Sequence, residues 1–145
     1  MIEEMLQKHC WVIDFLPSQV PADSDGQFFA VERYYLQAPR QETLRRRFAQ
    51  ILLRLNCYAD LMVCRPEEEN WQRNPDPEEL ISRITENQTD LCILLPRENA
   101  LLTLNRDDLC MAVYNPSAQL LACLERLASA AGLFLWQPPR KEETP

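Results

Sequence analysis

The 145-residue sequence predicts an α+β fold, a mainly antiparallel sheet with helices packed on one face. Three observations carry the prediction. Short apolar runs bounded by Pro, Asn or Asp recur along the chain and read as strands. Other stretches repeat their apolar residues at three- and four-residue intervals, as a half-buried helix does. The order strand, Pro-led helix, strand occurs twice, over 28–64 and 109–136. Two such β-α-β units imply a ferredoxin-like or pseudo-duplicated arrangement.

Taken in order, residues 1–9 form an amphipathic turn with Ile2, Met5 and Leu6 apolar. Trp11 to Leu16 is a near-continuous apolar run stopped by Pro17, a largely buried strand with Asp14 inside it. A loop rich in Pro, Asp and Ser follows, and Asp25-Gly26 turns into a second strand over Gln27–Leu36. Pro39 suits the start of a helix, where its missing N–H is not needed. Leu44, Phe48, Ile51, Leu52 and Leu55 then make one apolar stripe. Ala59 to Cys64 returns as a strand.

The polar segment from Arg65 to Asn74 contains one aromatic, Trp71. Asp76-Pro77-Glu78-Glu79 reads as an N-cap, a Pro at the first position and a capping box, opening a helix to about Glu86. Leu91–Leu95 and Ala100–Leu104 are two strands around a glycine-free turn at Pro96-Arg97-Glu98-Asn99. Leu109–Tyr114 is another strand. Leu120, Leu121, Leu124 and Leu127 mark the inner face of the last helix, Gly132 fits the position just past its end, and Leu133–Trp136 closes the fold. The expected organisation is one domain over 1–145 with a frayed tail at 138–145.

Composition narrows the function. A hydrophobic fraction of 46% with 26% charge is that of a globular chain. No signal segment is read at the start and no apolar run approaches the ~20 residues of a membrane span, so a cytoplasmic protein without a membrane partner is expected. A net charge of −7 argues against nucleic acid as a partner. Two glycines cannot build the glycine-rich phosphate loops of nucleotide enzymes. Cys10, Cys57, Cys64, Cys92, Cys110 and Cys123 lack paired metal-ligand spacing, and one histidine excludes a His-rich centre. No cofactor and no metal is expected.

Three groups of residues are candidates for a site. Arg40, Arg47 and Arg54 are two helical turns apart in succession and form a basic stripe able to grip an anion, or else a solvated helix face. Arg45 and Arg46 fan away from that stripe. Trp71 with Glu67, Glu68 and Glu69 could anchor a basic protein partner, or Trp71 could fold back over a sheet edge. Asp14, Tyr34 and Tyr35 could line a pocket between sheet and helices. No nucleophile–base pair is visible, so no catalytic residue is assigned. The expected function is therefore a non-enzymatic binding module of accessory, inhibitor or immunity type, its acidic surface engaging a basic protein. The alternative is a small-molecule-binding or hydrolytic domain. A homodimer could form through an edge of the central hairpin.

Overall fold

The structure, a computed structural model, describes residues 2–68, 70–86, 90–106 and 108–139. Glu69 and most of the expected tail, from 140 on, lie outside the described residues. The elements run α1 (Ile2–Met5), β1 (Cys10–Asp14), α2 (Phe28–Leu36), α3 (Arg40–Leu55), β2 (Met62–Cys64), β3 (Gln72–Arg73), α4 (Pro77–Thr85), β4 (Leu91–Leu95), β5 (Ala100–Leu104), β6 (Cys110–Tyr114), α5 (Ala118–Ala130) and β7 (Phe134–Trp136). The strands form a seven-stranded sheet in the order β3-β2-β4-β5-β6-β1-β7, every neighbouring pair antiparallel.

The strand expected over Gln27–Leu36 is a helix, α2. Its half-buried residues are Phe28, Glu32, Tyr35 and Leu36, spaced as one helix face, while Phe29, Val31 and Tyr34 are exposed. Aromatic and β-branched residues favour strands only where a neighbouring strand receives them. Here the receiving surface is α3, so the helical period wins.

The first β-α-β unit therefore loses its opening strand, and α2 and α3 together carry the chain from β1 to the far side of the sheet. The second keeps its helix, but β1 lies between β6 and β7. Since both pair antiparallel to β1, β6 and β7 run parallel to each other, joined by α5. At the other end β3 and β4 flank β2 in the same way, joined by α4. The strand order is not simply ferredoxin-like.

The main core lies between one face of the sheet and α3, α4 and α5. Phe48, Ile51, Leu52, Leu55, Leu80, Ile84 and Leu124 meet Ile13, Leu91, Ile93, Leu102, Met111 and Val113, all at 0–1% exposure. Strand alternation sends the residues between these to the opposite face, where a smaller cluster of Met5, Cys64, Cys92 and Leu101 is covered by α1 and Trp71. The hairpin β4–β5 is interior, so it offers no edge for a second copy. The open edges are β3, of two residues, and β7, of three. No described helix is long and apolar enough to cross a membrane.

Local chemistry explains the element ends. Ser117 caps α5 by accepting from the Leu120 N–H at 3.0 Å. Asp76 precedes α4, with Pro77 at its first position, but makes no side-chain cap bond, so the expected capping box is not formed. Asn99 takes a φ of +51° in the glycine-free hairpin turn, a conformation Asn tolerates better than most residues.

Candidate anion-binding cleft

Four expected residues converge on one cleft, and they came from two different groups. Tyr34 and Tyr35 of α2 and Arg40 and Arg47 of α3 line a hollow of about 270 Å³, together with Phe15, Thr43, Leu44 and Gly132. Arg40 and Arg47 meet there because seven residues are nearly two helical turns, which keeps them on one side about 10.5 Å apart along α3. Arg54 lies a further two turns on, exposed and outside the lining, because the cleft ends before the helix does.

The Arg40 guanidinium is held in place. It stacks 3.8 Å from the Tyr34 ring centroid, donates from Nε to the Tyr34 carbonyl at 2.9 Å and from Nη2 to Gln37 Oε1 at 2.7 Å. Its other N–H donors remain for a ligand. Tyr35 packs against Phe15, ring centroids 5.1 Å apart, which ties α2 to the end of β1. Arg47 reaches across to the turn after α5. Gly132 sits there with φ +76°, and a Cβ on it would stand 3.3 Å from Arg47 Nη1. The same position puts the guanidinium near the carbonyl end of α5, where positive charge is favoured.

Among the described residues no Asp or Glu lines the cleft, and neither Arg40 nor Arg47 has a carboxylate within 4.0 Å. The neighbouring Arg46 differs, pairing with Glu42 at 3.4 Å on the exposed face. Arg45 differs more sharply. It is fully buried and donates to the backbone carbonyls of Ile84 at 2.6 Å, Asn105 at 3.0 Å and Arg106 at 3.2 Å. Three consecutive arginines thus have three roles: a buried tie, a surface pair and a cleft wall.

Asp14 is not part of the cleft, contrary to expectation. Alternation along β1 turns Ile13 to the core and Asp14 to the other face, and only Phe15 beyond it reaches the cleft. Burial raises the Asp14 carboxyl above its ordinary value, opposed by the amides of Phe15 and Leu16 and by the Trp136 indole. Trp71 is half-buried and packs on the cluster of Met5, Cys64, Cys92 and Leu101, so its ring covers the sheet. Glu67 and Glu68 are exposed beside it, and Glu68 lies 3.6 Å from Arg65.

Phe15, Thr43, Leu44 and Gly132 belong to the cleft without having been singled out for it. Gly132 alone had a signal, as one of two glycines and the only one at a helix end. A second hollow of about 310 Å³, between Tyr58 and α5, has Arg126 as the one charged side chain among its described lining residues. Among the described residues no group of three or more His, Cys, Asp or Glu gathers as a metal site. No family model, no curated protein and no solved structure matches the chain.

Proposed function

We propose that the protein binds a small anionic ligand, a phosphate ester or carboxylate with a planar body, in the cleft between α2, α3 and the turn after α5. The carrying observation is that two guanidinium groups without carboxylate partners among the described residues share a walled hollow with Tyr34, Tyr35 and Phe15. The arginines supply directional, charge-assisted donors and the rings supply flat apolar surface. The chain's net charge of −7 does not forbid this. Charges beyond about 8 Å are screened at physiological ionic strength, so the two nearby guanidinium groups dominate at contact. The described lining residues include no His, Cys, Asp or Glu, which favours binding over acid–base chemistry.

The test is calorimetric titration with phenyl phosphate and with inorganic phosphate. Phenyl phosphate should bind more tightly, and Arg40→Ala or Arg47→Ala should each weaken it by about 10–100-fold, the value of a lost charge-assisted hydrogen bond. Arg54→Ala should change nothing. Equal affinity of wild type and R47A, or no heat with either probe, would reject the reading.

A second reading keeps one observation in its favour. The exposed Glu67 and Glu68, on a chain of net charge −7, would complement a basic protein surface. Reversing both to Lys would abolish capture of such a partner and leave phenyl phosphate binding unchanged.

A further inference from the structure

Four of the six cysteines lie on the sheet face opposite the main core: Cys10 of β1, Cys64 of β2, Cys92 of β4 and Cys110 of β6. Cys10 and Cys110 stand at opposite ends of their ladder, facing Tyr114 and Asp14. Cys64 and Cys92 are different, because they are register partners, directly opposed across β2 and β4. Opposed residues in antiparallel strands have Cα atoms about 4.5 or 5.5 Å apart. Both values fall inside the ~4.4–6.8 Å that a disulfide spans.

Both thiols are free, 1% and 3% exposed, and packed with Met5, Leu101 and Trp71. These surroundings discriminate between two uses of a facing thiol pair. A metal held by two thiolates would need further ligands, and among the described residues no group of three or more His, Cys, Asp or Glu gathers here. A disulfide is neutral and leaves no charge behind. Burial already pushes the Cys92 thiol up to about 11 and raises Cys64, where the Arg83 guanidinium pulls the other way. Cys64 stands next to chain that can move. It ends β2 at the exposed segment 65–68, and the cluster that holds it is covered in part by Trp71 and the four-residue helix α1, elements that can open without unfolding the sheet.

We propose that Cys64 and Cys92 are a redox pair that closes to a cross-strand disulfide by exchange with a small-molecule disulfide. The Cys64 thiolate attacks one sulfur of the reagent, forming a mixed disulfide and expelling the first small thiolate. The Cys92 thiolate then attacks the Cys64 sulfur and expels the second. Two protein thiols become one disulfide, the small disulfide becomes two thiols, and these take up the two protons. The closed bond ties β2 to β4 and constrains the excursion through β3 and α4 that joins them. It lies at the end of the sheet away from β1 and Gly132, so it is independent of the anion cleft.

The experiment exposes the full chain, in a Cys57→Ser background that removes the exposed thiol, to oxidised glutathione at mildly alkaline pH. Intact mass and a non-reducing peptide map are then read. The expected result is loss of two hydrogens and a cross-link between the peptides bearing Cys64 and Cys92. The melting midpoint should rise and return on addition of reductant. Cys64→Ser and Cys92→Ser should each abolish the link, and the reduced-versus-oxidised comparison of the parent chain stands even if a variant fails to fold. Glutathione adducts without the link, a link between other cysteines, or a link between two chains would overturn the proposal.

Discussion

Replacing Arg45 by Met removes the buried guanidinium while keeping an unbranched stem of similar reach. In the native chain that group donates to three backbone carbonyls, of Ile84 at the end of α4 and of Asn105 and Arg106 in the loop after β5. The Ile84 carbonyl is buried, and leaving it without this donor costs about 1–3 kcal/mol. The two loop carbonyls are part-buried and can regain water, so each adds about 0.5–1 kcal/mol. Relief from desolvating a cation offsets part of the sum. The net expectation is a loss of about 3 kcal/mol. Urea unfolding followed by circular dichroism measures it. With an m-value of about 2 kcal/mol/M the midpoint should fall by about 1.5 M at unchanged m. The adjacent Arg46→Ala removes only an exposed pair with Glu42 and should cost at most about 0.5 kcal/mol. If R45M stayed within 0.5 kcal/mol of wild type, the three carbonyl bonds would not be holding α3, α4 and the loop together.

Three more outcomes are expected. Trp71→Ala should lower stability by about 1–3 kcal/mol and speed alkylation of Cys64 and Cys92 under native conditions, since the ring packs on the cluster that holds both thiols. An indole serving only as a partner anchor would leave both readouts unmoved. Gly132→Ala should cost about 1–2 kcal/mol, because φ +76° strains any L side chain, and the new Cβ would press on Arg47 and weaken phenyl phosphate binding. Asp14 gives a pH signature. Its folded-state value is raised, so the native state holds the proton more tightly than the unfolded chain does. Its contribution is therefore favourable below the ordinary carboxylate value and is lost as pH rises through the raised one. Asp14→Asn should remove that decline from the stability–pH curve and raise stability at neutral pH relative to wild type. A curve that falls as before would place the carboxyl in a water-like setting.

Much of the fold was legible because the signals are local. Leu44, Phe48, Ile51, Leu52 and Leu55 repeat as a helix face and are all buried in α3. The runs that became β1, β4, β5 and β6 are short, apolar and punctuated. The segment that became α2 was not legible, since Phe28 to Tyr35 satisfies an alternating and a helical pattern alike. The site was legible in part. Arg40 and Arg47 follow from helical spacing and the tyrosines from their aromatic run, but nothing local says that these two sets share a wall.

By itself the sequence determined the α+β class, the apolar face of α3, the hairpin around Asn99 and the acidic charge, because each depends on neighbours within one or two turns of chain. Tertiary structure alone decided the rest. It chose helix over strand for α2 by supplying α3 as the surface to dock on. It divided Arg45, Arg46 and Arg47 among core, surface and cleft by where α4 and the turn at Gly132 come to lie. It brought Cys64 opposite Cys92 through the register of two strands separated by β3 and α4. Each of these is a choice among conformations of similar local free energy, and contacts distant in the chain supply the difference.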